Sequence, residues 1–211
     1  MPKNRTLCTL ALALFLTATN VSAQKSKPAA ADYFPLRVDD SWTYRNTSDD
    51  SRYTLKVLKE ENQEDGSIRY LMEMLAGVQI HHFFSKPAGW VLLHHVRYPE
   101  HEGLEAKYEP PKQYLQNPLV AGFKWKWNGK DHTQQEFAED NRVAGFENVT
   151  VPAGKFRAMK LVSQVTGASS PMTRTYWYAD GVGLIKTTTE APTMKYGSEL
   201  FDYSFKKPAK K

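Results

Sequence analysis

From about residue 41 onward, apolar and polar side chains alternate in short runs. Ser41-Trp42-Thr43-Tyr44 opens the pattern, and Tyr53, Leu55 and Val57 continue it between Thr54 and Lys56. Ile68, Tyr70, Met72 and Met74 fall on one face of a further run, as do Val78, Ile80, His82 and Phe84. The same signal returns in 90–96, 136–151, 156–165, 173–178 and 182–189, and in Phe201, Tyr203 and Phe205. A two-residue period places successive side chains on opposite faces of a strand, so each strand buries one face only. No ten-residue window beyond the first 23 residues has a helical period. The pattern predicts an all-β fold: a large, strongly curved antiparallel sheet, half-barrel or open barrel, built of hairpins with little helix.

Turn chemistry punctuates these runs. Pro152-Ala153-Gly154 joins two strand-like stretches, and a three-residue turn there sets Val151 opposite Lys155. Pro87-Ala88-Gly89 repeats the motif and sets Lys86 opposite Trp90. Asp65-Gly66 and Asn128-Gly129 read as two-residue hairpin turns, and Asp180-Gly181 turns the chain once more. Residues 97–117 are charged and proline-marked; they read as an irregular connection with one short strand at most, and as a boundary.

After that boundary the chain starts again. Pro118-Leu119 followed by Trp125 and Trp127 has the spacing of Pro35-Leu36 followed by Trp42 and Tyr44. The domain prediction is one β domain over 33–205, with halves 33–96 and 118–205 if the repeat is a duplication. Two motifs this short also recur by chance, so both origins stay open.

Lys3 and Arg5 precede the apolar run Leu7 to Leu16, and Val21-Ser22-Ala23 offers small residues for cleavage. Residues 1–23 therefore read as an export signal, 24–32 as a flexible linker and 206–211 as a disordered Lys-rich tail. The expected location is periplasmic or extracellular. The apolar run is shorter than the roughly 20 residues that span a bilayer, so no transmembrane segment is predicted. Cys8, the single cysteine, lies inside the signal, which leaves the body without a thiol or disulfide.

The net charge of +5 is concentrated at the ends. Eight of the 28 Lys and Arg lie in 1–27 and 206–211, leaving 20 basic against 23 acidic residues in between. A nucleic-acid partner needs a concentrated basic face, and this distribution argues against one. The Lys-rich tail leaves room for weak contact with an anionic membrane surface.

Catalytic motifs do not emerge. There is no G-x-S-x-G elbow, and the Gly-Val-Gly of 181–183 precedes a strand where a phosphate loop needs a helix. Neither a catalytic residue nor a cofactor is predicted. One cluster invites a metal reading: His81-His82 and His94-His95 lie on the two arms of the Pro87-Ala88-Gly89 hairpin. With Lys86 opposite Trp90, His81 faces His95 and His82 faces His94, close enough for paired imidazoles to share an ion, with His101, Glu100, Glu102 or His132 completing the set. The competing reading, which the missing ligand spacing favours, makes His82 and His94 part of the aromatic face and leaves His81 and His95 solvated.

The stretches PLRVDDSWTY, VTVPAGKFRAMK and YWYADGVGLIK resemble those of a broad group of uncharacterised secreted or periplasmic bacterial β proteins with PL-x5-W, VPAG-x-F and WYA-x-GVG-x-[IV]-K signatures. Asp39 departs from the usual Gly of that pattern, whereas Gly122 keeps it. The resemblance implies a curved sheet similar to the half-barrels of envelope lipoprotein carriers, and it carries no catalytic residues. The functional expectation is a non-enzymatic envelope protein that binds an apolar small molecule, a lipid or part of a lipoprotein. Met72, Met74, Phe84, Trp90, Trp177, Phe201 and Phe205 are its candidate lining. A structural or protein-interaction module is the alternative, and a hydrolase or metal-binding protein using the histidine hairpin comes third.

Overall fold

The computed structural model describes residues 30–130, 135–167 and 170–205. The predicted export signal, linker residues 24–29, His132 and the Lys-rich tail lie outside them. Among the described residues there is no helix, and twelve strands follow one another: β1 (Ser41–Asn46), β2 (Arg52–Asn62), β3 (Ile68–Leu75), β4 (Gln79–Ser85), β5 (Gly89–Arg97) and β6 (Glu105–Asn117), then β7 (Lys124–Lys130), β8 (Glu136–Val151), β9 (Gly154–Gly167), β10 (Met172–Ala179), β11 (Gly183–Ala191) and β12 (Met194–Ser204).

Every neighbour pair is antiparallel, and β1 pairs with both β2 and β12. The spatial order therefore runs from β6 back to β1, on to β12 and back to β7. β6 and β7 are left as the two edges, and they meet across an unsealed seam that keeps the sheet from closing into a full barrel. The all-β curved sheet expected from alternation is the fold observed.

Alternation explains the core. Trp42, Tyr44, Val57, Met72, Phe84 and Leu200 point inward from β1 to β4 and β12, and all are buried. Burying one such side chain contributes roughly 1.5–3 kcal/mol, so the interior dominates stability.

Side chains close the seam where backbone pairing stops. Trp125 Nε1 on β7 donates to the carbonyl oxygen of Gln113 on β6 at 3.0 Å. Tyr108 meets Trp127 edge to face with ring centres 5.7 Å apart. Lys112 Nζ lies 2.7 Å from Glu139 Oε1 on β8, both side chains being largely buried.

Residues 32–36, which precede β1, cross one end of the barrel as a strap. Asp32 ties it to three places: its carboxylate accepts from Lys86 Nζ and from Asn117 Nδ2, its N–H donates to Asp180 Oδ1, and its carbonyl accepts from Gly181 N–H. Tyr33, Phe34 and Leu36 then insert into the core.

Several sequence expectations need correction. Residues 105–117 form a full strand, where an irregular connection was predicted. The register steps from Leu93 opposite Lys112 to His95 opposite Lys107, so 108–111 loops out around Pro110 and Pro111. Proline has no N–H to donate and is tolerated in a strand only at an edge or a bulge, and β6 supplies both. Asn128-Gly129 is strand, pairing with Ala138 and Phe137, because the Trp127 ring covers Gly129 where a Cβ would stand. At Asp65-Gly66 the loop has three residues: Gln63 N–H donates to Ser67 O, and Gly66 takes the left-handed conformation. Val151 pairs with Gly154 rather than Lys155, whose partner is Thr150.

The two chain starts share one local structure. Asp39 has φ 74° and Gly122 φ 85°. Asp39 N–H donates to Val57 O while Val57 N–H donates to Asp40 O; Gly122, Val143 and Phe123 repeat this pair of bonds. Val57 and Val143 both sit at register shifts. The Pro-Ala-Gly hairpins do not follow suit: Pro87-Ala88-Gly89 joins the fourth and fifth strands after the first start, and Pro152-Ala153 joins the second and third after the second start.

Candidate functional site

A cavity of about 180 Å³ lies inside the barrel beneath the strap. Phe34 and Pro35 come from the strap, Trp42 and Tyr44 from β1, and Tyr53 and Leu55 from β2. Met72 and Met74 on β3, His82 and Phe84 on β4, Tyr114 on β6 and Tyr178 on β10 continue the wall, with Gly183 and Leu184 beside them. Each strand contributes alternate residues, as inward-facing positions must. A cavity of ~150 Å³ with an apolar wall stays dry and admits benzene, so this space suits a small apolar body.

Among the described residues, no Lys, Arg, Asp or Glu lines it. Most polar atoms in the wall are already bonded within the protein. Trp42 Nε1 donates to Val182 O at 2.7 Å, Tyr44 Oη donates to Leu184 O at 2.8 Å, and Tyr53 Oη shares a hydrogen bond with Ser198 Oγ at 2.8 Å. Burial drives the Tyr44 and Tyr178 phenols well above their ordinary pKa, so they stay neutral.

His82 is the exception. Its ring is parallel to that of Phe84 with centres 6.1 Å apart, and its buried Nδ1 has no hydrogen-bond partner. Burial, with a smaller contribution from His81, lowers its pKa to about 4 and keeps the imidazole neutral.

The predicted lining residues separate into groups. Met72, Met74 and Phe84 line the cavity. Trp90 packs edge to face on Trp125 near the seam, and Phe205 packs on Trp42 at the barrel end. Trp177 donates from Nε1 to Glu147 Oε2 in an exposed contact, and Phe201 carries the Arg52 guanidinium 3.6 Å above its ring. Period-2 counting could find the inward face of one strand but could not tell which inward residues meet in the centre. It missed Tyr44, Tyr53 and Tyr178 as wall residues because a tyrosine inside a strand reads as core, and Tyr114 because 97–117 read as an irregular connection.

The histidine register also needs correction. His82 lies opposite Val96, Phe83 opposite His95, and His81 opposite Arg97, with a shift between Phe83 and Phe84 that makes His94 a bulge residue. The turn is one residue shorter than expected, with Ala88 and Gly89 between Pro87 and Trp90: Trp90 N–H donates to Pro87 O, and Gly89 has φ 83°. His81 approaches Glu73 at 3.5 Å, while His95 stacks on Phe83 at 4.3 Å and meets Glu105 at 3.2 Å. The four imidazoles are thus dispersed, and among the described residues no group of three or more His, Cys, Asp or Glu could hold a metal ion.

His94 Nε2 instead sits 2.8 Å from Ser85 Oγ. A serine–histidine contact invites comparison with a nucleophile and its base, but among the described residues no carboxylate hydrogen-bonds the other imidazole nitrogen. Burial, with Arg69 adding to it, lowers the His94 pKa to about 4, which makes it a weak base.

Residues 92–191 match the family described as DUF3108-like. The DUF3108-like stretch runs from within β5 to the end of β11, so it contains Tyr114, Tyr178 and Leu184 of the wall but neither strap nor β3. No curated protein matches the chain. Two crystal structures share its architecture. One is a candidate lipoprotein from Parabacteroides distasonis, 14% identical, with 83% of this chain and 100% of that one covered at a TM-score of 0.52. The other is a candidate exported protein with a YmcC-like fold from Bacteroides fragilis, 13% identical, covering 83% and 100% of the two chains at a TM-score of 0.52. At such identity the similarity shows the fold alone.

Proposed function

We propose that this chain is an exported, non-enzymatic envelope protein that holds a small apolar ligand, such as part of a lipid or of a lipoprotein's acyl chain, inside its barrel. The observation that carries the reading is the cavity itself. It is walled by Met72, Met74, Leu55, Phe84 and tyrosine rings, with no Lys, Arg, Asp or Glu among the described residues that line it. Flexible methionines beside rigid rings suit an adaptable apolar site. An envelope location is supported by the export-signal reading of 1–23 and by the descriptions of the two structural neighbours as lipoprotein or exported candidates.

Native mass spectrometry of protein purified from its own host tests the reading. A bound mass that is released by organic solvent, and absent when the cavity is filled by a Met74→Trp substitution, is the expected result. Protein that flies at its bare mass, with envelope crosslinking that recovers a partner protein, would replace this reading with an interaction module.

A further inference from the structure

Two thioethers and one imidazole face the same interior space. Met72 on β3 lies directly opposite His82 on β4, and Met74 stands two residues along on the same face of β3. All three line the cavity. Directly opposed residues have β-carbons about 5 Å apart and diagonal ones roughly 7–8 Å, a span that the three rotatable bonds of methionine let both sulfurs close. Nδ1 of His82 is fully buried, so Nε2 is the nitrogen that can act as a ligand. Burial keeps this imidazole neutral down to about pH 4, and a neutral imidazole is the form that binds metal.

The donor set selects the ion. Calcium, magnesium and manganese take oxygen ligands, and zinc sites are built from cysteine, histidine and carboxylates. Among the described residues no Asp or Glu lines this space, and the Tyr44 and Tyr53 hydroxyls are engaged with Leu184 O and Ser198 Oγ. Thioether sulfur is a soft ligand that favours copper(I). The cost of moving an ion out of water rises with the square of its charge, so a neutral, apolar wall penalises a monovalent ion far less than a divalent one. Aromatic rings offset part of the remaining cost, and those of Trp42, Tyr44 and Phe84 share the wall. We propose that Met72, Met74 and His82 form a site for a soft monovalent ion, copper(I), inside the barrel. This set differs from the histidine hairpin, of which only His82 takes part. It also goes beyond the apolar-ligand reading, because the ion and an apolar ligand would compete for one space.

Anaerobic titration of the purified, untagged protein with Cu(I), in competition with the chelator bicinchoninate, tests the site. Wild-type protein is expected to take one Cu(I) from the chelator and to keep it in excess Zn²⁺. Met72→Leu and Met74→Leu preserve size and apolarity and should stay folded. Losing even an outer-shell partner of a metal costs about 10- to 100-fold in affinity, so each of these variants and His82→Phe should lose at least about tenfold. His94→Ala should bind as wild type does. Copper-edge X-ray absorption of the wild-type complex needs no variant to fold and should show sulfur beside nitrogen. Cys8 is the single cysteine and lies in the predicted export signal, so that sulfur would be methionine's. Copper left with the chelator, displaced by Zn²⁺, surrounded by nitrogen and oxygen alone, or held equally well by all three variants overturns the proposal. Hexane binding to wild-type protein reports on the apolar cavity separately, so each of these failures leaves that reading in place.

Discussion

Lys86 Nζ lies 2.7 Å from each carboxylate oxygen of Asp32, and this pair fastens the strap to the tip of the β4–β5 hairpin. The same ammonium donates to Phe34 O at 2.9 Å, so one side chain holds both the anchor and the residue that roofs the cavity.

Loss of that clamp should loosen the barrel end. Burial works to raise the Asp32 pKa, but the hydrogen bonds from Lys86 and Asn117 outweigh it, and the net direction is downward. A lowered carboxylate stabilises the fold above its unfolded pKa and loses that contribution as pH falls through the folded value. Asp32→Ala should reduce stability by about 1–2 kcal/mol, discounted for the half-exposed setting, and should flatten the acid limb below about pH 4. Urea unfolding between pH 3 and 7 measures both.

His82 carries a separate pH dependence. The unfolded imidazole takes up a proton near 6.5, the folded one only near 4. Between those values the unfolded state binds more protons, so stability is full above 6.5 and falls as pH drops toward 4. The share from His82 is about 3 kcal/mol at most. Denaturant titrations should show a shallower decline over this window in His82→Phe than in wild type, with the half-exposed His94 supplying part of what remains.

At the seam, Glu139→Ala strands the buried Lys112 ammonium. Removing one partner of a buried pair costs roughly 3–5 kcal/mol, whereas replacing both by apolar residues is often neutral. Thermal unfolding should therefore show a large loss in Glu139→Ala and substantial recovery in Lys112→Met/Glu139→Leu.

The paired starts give a fourth expectation. Gly122→Ala forces a Cβ into the left-handed region and should cost about 1–2 kcal/mol, whereas Asp39→Gly relieves that conformation and should be neutral or stabilising by up to about 1 kcal/mol. Chemical denaturation of the two variants checks the opposite signs. The exposed Lys56–Asp39 contact at 3.5 Å offsets little of the gain.

Much of the architecture was legible in the chain because alternation is a local property. Trp42, Tyr44, Leu55, Met72 and Phe84 announced their inward face two residues at a time. What escaped is non-local. The looped-out residues at Pro110 and Pro111 hid β6, since proline usually argues against a strand. The shift at Phe83/Phe84 cannot be read from residue types, yet it decides that His82 meets Val96 and not His94. The cavity depends on strands far apart in sequence, β2 to β4 on one side and Tyr114 and Tyr178 on the other. Asp39 is the instructive intermediate: it departs from glycine in the pattern, and the structure shows that the backbone demand for positive φ is unchanged.

Methyl NMR of protein labelled at methionine Cε reports on the interior directly, because Met72 and Met74 line the cavity, Met159 is buried elsewhere and Met194 is exposed. Titration with hexane should move the Met72 and Met74 signals saturably and leave Met159 and Met194 in place. Signals that stay fixed throughout, or shifts at Met72 and Met74 that Met159 and Met194 share, would contradict an apolar binding space in the barrel.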